Sequence, residues 1–188
     1  MTAGPRPVAP PATGGPRAVL IGPMAAGKTS VGRRLAQLWG VPFTDLDREV
    51  EITAGLPVPE IFAREGEEAF RRREADALAR LLATHTGVLA LGGGAPLTPR
   101  SAAALAQHAV VLLEIDEETA ARRLRGGAGR PLLAGEDPLE RWRTLAEARM
   151  PSYRALARCT VDGRGATTTE VAQMIADLLE NDTHEEHP

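Results

Sequence analysis

One lysine occurs in 188 residues, against 21 arginines. It is Lys28, in the run Gly22-Pro23-Met24-Ala25-Ala26-Gly27-Lys28-Thr29. Glycine, four residues, then Gly-Lys-Thr is the spacing of a phosphate-binding loop. Backbone N–H groups of such a loop and of the helix that follows surround phosphate oxygens, while the lysine adds a compact, mobile charge. A planar guanidinium is too broad for that place. A chain that otherwise uses arginine thus has an ammonium where this chemistry asks for one. The Thr29 hydroxyl is placed to reach a Mg²⁺ ion. Ala25 stands where loops of this kind often carry glycine, and its methyl is tolerable if its φ is negative. The pattern points to a nucleoside triphosphate and to phosphoryl transfer or hydrolysis.

Three further groups could supply an acceptor site. Asp45 and Asp47 lie two apart at the end of an apolar run. On a strand such side chains share a face, so both could look into the nucleotide cleft. One would hold magnesium waters, and the other would receive or orient the proton of an acceptor hydroxyl. The competing reading is that they only cap a helix, with Asp47 at its start. Phe70-Arg71-Arg72-Arg73-Glu74 reads as helical, so Arg71 and Glu74 share a face, and a solvated face suffices for Arg72 and Arg73. Gly92-Gly93-Gly94 closes another apolar run, where a ligand could approach the backbone, unless it is only a flexible turn.

Positioning these groups requires strands that end beside one another. Short apolar runs at 17–21, 41–46, 88–91, 109–115 and 159–162 read as five strands. Helical patterns fall at 28–39, 48–53, 59–64, 67–84, 98–107, 117–125, 138–158, with a break or kink near Pro151, and 169–180. Alternation of the two implies an α/β protein, a five-stranded parallel sheet between two layers of helices. Ligands then gather at the carboxyl ends of the strands. The length suits one domain over 17–180, between a Pro-, Gly- and Ala-rich leader (1–16) and a polar tail (181–188) that carries His184 and His187. Charged residues are 25% and the net charge is only −3, so no global field favours nucleic acid. No apolar run approaches a membrane span, and one cysteine, Cys159, excludes an internal disulfide.

Taken together the motifs resemble those of shikimate kinases, within the nucleoside-monophosphate-kinase structural group. The elements are the phosphate loop, Asp45-Leu46-Asp47, the Phe-Arg-Arg-Arg-Glu segment after Gly66-Glu67, Leu89 to Gly94, Arg130-Pro131-Leu132-Leu133 and Arg149-Met150-Pro151-Ser152-Tyr153. They follow the family's order with similar spacing. The resemblance implies a P-loop kinase fold with a mobile lid over about 124–138. It implies transfer of the ATP γ-phosphoryl group to the 3-hydroxyl of shikimate, on the route to chorismate and the aromatic amino acids. Gly22, Ala25, Ala26, Gly27, Lys28, Thr29, Ser30, Arg123 and Arg130 would hold the nucleotide. Asp47, Arg71, Gly92, Gly93, Gly94 and Arg149 would hold shikimate, and Thr29 and Asp45 would serve Mg²⁺. Lys28, Asp47 and Arg130 would be the catalytic set. Two arginines suit one small acid, because guanidinium grips carboxylate in bidentate fashion. Arg164 is a further, ambiguous candidate for the adenine. A cytoplasmic monomer that binds neither nucleic acid nor membrane is expected. The rivals are another small-metabolite kinase, such as a gluconate kinase, a nucleotide kinase, and a non-catalytic ATP-binding module.

Overall fold

The computed structural model describes residues 14–125 and 137–184. Its five strands are β1 (Ala18–Ile21), β2 (Phe43–Asp45), β3 (Val88–Ala90), β4 (Val110–Glu114) and β5 (Cys159–Asp162). They form one sheet in the order β2-β3-β1-β4-β5, with every pairing parallel. All four side chains of β1 are fully buried. Ala18 and Leu20 pack on one layer and Val19 and Ile21 on the other, as the period of two requires. A strand covered on both faces reads as a continuous apolar run, and β1 and β4 do so.

Helices α1 (Lys28–Trp39) and α7 (Thr168–His184) cover one face with part of α6 (Pro138–Leu156). The other face carries α2 (Leu46–Ala54), α3 (Val58–Thr84) and α4 (Pro99–Leu105). Helix α5 (Glu117–Arg125) follows β4. The expected five-stranded, three-layer architecture is therefore present. Among the described residues, no helix is long and apolar enough to cross a membrane.

Two local expectations need correction. The second strand stops at Asp45, because Asp45 Oδ1 accepts the N–H of Asp47 at 3.1 Å and so opens α2 as its N-cap. Asp47 is thus a first-turn helical residue: neither the cap nor part of a strand end that alternates with Asp45. The two helical stretches expected at 59–64 and 67–84 are both present within α3, parted at Gly66, whose φ of 83° and ψ of 170° are non-helical. Around Pro151 there is no break: α6 runs through it. Pro151 has no N–H to give the Glu147 carbonyl four residues back, and the turns on either side carry the helix past it. Most of the expected lid, with Arg130, lies outside the described residues, as do most of the leader and the last residues of the tail.

Candidate active site

The chain leaves β1 at Gly22, where φ is 142° and a Cβ would sit 2.4 Å from the Leu113 carbonyl oxygen. Only glycine fits so close to the neighbouring strand. The loop returns through Gly27, left-handed at φ 87°, into the first turn of α1. No acidic residue occupies that turn, so the positive end of the helix dipole is not offset. Lys28 folds back over the loop, and its Nζ donates to the carbonyl oxygens of Gly22 (2.8 Å) and Pro23 (2.9 Å). The Thr29 hydroxyl donates to Asp45 Oδ2 at 2.7 Å. One Asp45 carboxylate therefore caps α2 with one oxygen and binds the phosphate loop with the other. Ser30 is exposed on the next position of α1.

Ala25 departs from expectation. Its φ is 63°, the only positive value at a non-glycine among the described residues. A Cβ there crowds the following carbonyl oxygen, a strain of about 1–2 kcal/mol. Arg123 braces the same segment, because its Nη1 donates to the carbonyl oxygens of Ala25 and Ala26, both at 3.0 Å. So Arg123, 97 residues away along the chain, does reach the nucleotide loop.

Across the sheet, the three consecutive glycines each face a different side chain. A Cβ on Gly92 would meet Asp47 Oδ1 at 2.5 Å. One on Gly94 would meet Arg71 Nη1 at the same distance, and one on Gly93 would approach Tyr153 Oη at 3.4 Å and Arg149 Nη1 at 3.5 Å. None of the three has positive φ, so Gly92 and Gly94 are needed for space and not for conformation, while a Cβ on Gly93 would make ordinary contacts. The corner unites α2, α3, α6 and the end of β3, as the sequence motifs required.

Charge is not balanced in this corner. Burial, seconded by Asp45 and Glu51, pushes the Asp47 carboxyl up to about 6, although Lys28 and Arg71 pull the other way. Glu74 is 2% exposed and accepts from Arg71 Nη1 at 2.8 Å. Burial raises its carboxyl to about 7 against the pull of Arg71. Arg71 also donates to Glu67 at 3.3 Å. Arg72 and Arg73 pair with Glu68 and Glu65 on the exposed face, as the bland reading held.

The residues 23, 24, 142, 145, 146, 149 and 153 line a cleft between the phosphate loop and α6. Trp142 Nε1 donates to the Met24 carbonyl oxygen at 2.8 Å, tying α6 to the loop. Tyr153 is fully buried, and its hydroxyl donates to the Gly93 carbonyl oxygen. Sequence reasoning assigned no role to Trp142, Tyr153 or Glu74. The shared face of Arg71 and Glu74 was visible, but no local signal showed that a glutamate would be buried. Arg164 is exposed and folds back on Asp162, with Nε 2.7 Å from Oδ2. Among the described residues no group of three or more His, Cys, Asp or Glu could hold a metal by itself.

Comparison with known proteins adds a family to this geometry. Residues 24–180 match the family model described as shikimate kinase. A shikimate kinase of Salinispora arenicola is 49% identical over 164 residues, 87% of this chain and 98% of that one. Among solved structures, a shikimate kinase from Acinetobacter baumannii in complex with shikimate superposes with a TM-score of 0.85. It is 38% identical and the match covers 90% of this chain and 95% of that one. A gluconokinase from Sinorhizobium meliloti reaches a TM-score of 0.57 at 21% identity, which is a likeness of fold alone.

Proposed function

The chain belongs to the shikimate kinase family, and from that premise we propose that it transfers the γ-phosphoryl group of ATP to the 3-hydroxyl of shikimate. The products are shikimate 3-phosphate and ADP. The observation that carries the reading is the triple-glycine corner. Three consecutive residues without side chains let an acid-pairing arginine, a second arginine and a carboxylate converge within reach of the phosphate loop.

In this reading Arg71 and Arg149 bind the shikimate carboxylate, and Asp47 takes the ring hydroxyls. The Asp47 carboxylate accepts the proton of the attacking hydroxyl as the new P–O bond forms and the bond to ADP breaks. A base near 6 is ionised at neutral pH yet not so weak that it cannot accept a proton. Lys28 exchanges a loop carbonyl for a phosphate oxygen and spreads positive charge over the transferring group. Arg123 holds the carbonyls of the loop, so that its N–H groups face the phosphates. Positioning and charge stabilisation carry the reaction, with little covalent work left to the protein.

Magnesium suits the donor set. Mg²⁺ prefers oxygen ligands, keeps several waters, and commonly needs one or two protein groups besides phosphate. Thr29 and Asp45, already joined at 2.7 Å, offer that minimum. Thr29 would bind the ion and Asp45 would hold its waters. When bound, the ion would neutralise phosphate charge. A monomer working in the cytoplasm completes the reading, in keeping with an ATP-dependent enzyme that carries a single thiol.

Coupled detection of ADP release tests the proposal directly. Purified protein should release ADP only when ATP, Mg²⁺ and shikimate are all present. Gluconate or a nucleoside monophosphate in place of shikimate should leave the rate at background. Equal rates with gluconate, or ADP release that ignores shikimate, would sink the assignment.

A further inference from the structure

Tyr153 is the only tyrosine in the chain. It projects from α6 one helical turn beyond Arg149 and is wholly buried on the sheet face that carries the acceptor corner. A buried phenol needs a partner for its hydroxyl, and this one has the Gly93 carbonyl oxygen, to which its O–H donates. The Arg149 guanidinium stands beside it: Nη1 lies 3.5 Å, and Tyr153 Oη 3.4 Å, from where a Cβ on Gly93 would sit.

The bond and the contact act on different parts of the corner. A peptide group is planar, with C=O and N–H opposed. Holding the Gly93 carbonyl therefore also sets the direction of the Gly94 N–H. Glycine has the widest conformational freedom of any residue, and three in succession would leave this backbone loose without an outside hold. Arg149 has four rotatable side-chain bonds and loses much freedom when fixed. Its place against a buried, immobile oxygen meets part of that ordering before any substrate arrives. Burial pushes the phenol's ionisation upward, opposed by Arg149, so the hydroxyl keeps the proton that it donates.

We propose that Tyr153 is a positioning residue for the acceptor: through one hydroxyl it aligns Arg149 and locks the Gly93–Gly94 peptide. This rests on the functional reading above and adds a residue that the reading leaves without a role. Tyr153 does not touch the reacting atoms, and its effect passes through these two neighbours. The donor loop lies outside that path, so nucleotide binding should not sense the hydroxyl.

The test is kinetic. Tyr153→Phe keeps the ring and removes only the oxygen. The shikimate KM should rise about tenfold, the upper scale of one lost buried hydrogen bond, while the ATP KM stays within about twofold. Added to Arg149→Met, the same change should cost less than about threefold, because the partner it aligns is gone. Equal losses for both substrates, or full additivity with Arg149→Met, would mean a merely structural role and overturn the proposal. Unchanged constants would overturn it too, while native turnover of shikimate would leave the functional reading intact. A native enzyme with no shikimate turnover would instead overturn both. If the phenylalanine variant does not fold, a fluorinated tyrosine labels this one site in the native fold. Its single fluorine NMR resonance should shift when shikimate is added, and a resonance that ignores shikimate rejects the inference.

Discussion

The donor loop and the acceptor corner lie side by side but are built in opposite ways. The donor loop is residues 22–29, a contiguous run held by its own backbone, by a lysine that folds onto it and by a helix N-terminus. The acceptor corner is assembled from α2, α3, α6 and the end of β3, with a hydrogen bond that spans 60 residues. One site is a local conformation with a charge added. The other is a set of part-buried charges brought together only because distant helices meet. A phosphate loop can therefore recur in proteins with many acceptors, while the acceptor side has to be made anew by packing.

The difference can be broken first at the donor side. Lys28→Ala should cut kcat by roughly 10³-fold, the scale of losing one preorganised charge on the transferring group. Circular dichroism should keep its native shape and Tm should fall by only a few degrees, because the change removes two hydrogen bonds to loop carbonyls and leaves the rest of the fold untouched. A variant with near-native turnover would remove Lys28 from the mechanism.

The acceptor corner should fail differently, through crowding. Gly94→Ala places a methyl 2.5 Å from Arg71 Nη1 and must displace a guanidinium that is bound to buried Glu74. The shikimate KM should rise roughly 10–100-fold, with the ATP KM little changed. A comparable rise for both substrates would show that the two regions are not separable in this way.

Protonation sharpens the same contrast. Asp47 is lifted from 3.8 to about 6, chiefly by burial, so kcat/KM for shikimate should climb as pH rises through about 6. Stability should run the other way. The folded carboxyl holds its proton at pH values where the unfolded one has released it, so unfolding free energy declines as pH rises from 3.8 through about 6. Asp47→Asn should flatten that part of the Tm–pH curve while abolishing most activity. A slope that survives the substitution would assign it to other groups, with Glu74, raised to about 7, the first to examine.

The smallest effect lies back in the loop. Ala25→Gly relieves a left-handed alanine at φ 63° but frees the unfolded chain. The net gain should be about 1 kcal/mol, a rise in Tm of roughly 2–4 °C. A lower Tm would show that the freedom gained by the unfolded chain outweighs the strain relieved.

Much of this molecule was legible because its signals are local. The strands at β1 and β4 show as apolar runs, α1 has the predicted bounds, and the sheet follows from alternation. The misreadings share one cause, which is competition between close neighbours. Asp45 and Asp47 both suit a helix start, and which one caps depends on where the strand releases the chain. Gly66 and Pro151 look equally disruptive, yet α3 breaks at the first and α6 runs through the second. The sign of φ at Ala25 is set by how the loop closes on Gly22, Gly27 and Arg123, which no residue type declares.

By itself the sequence determined the phosphate loop, the parallel sheet, and the motifs of the corner beside them in family order. Those rest on period, spacing and the unique steric demands of glycine and lysine, all properties of short segments. Only the tertiary structure decided that each glycine of 92–94 faces a different partner, that Glu74 is buried beneath Arg71, and that the one tyrosine holds the Gly93 carbonyl beside Arg149. Burial and long-range hydrogen bonds are properties of where helices meet. They shift a carboxyl by a change of surroundings that leaves the residue itself the same.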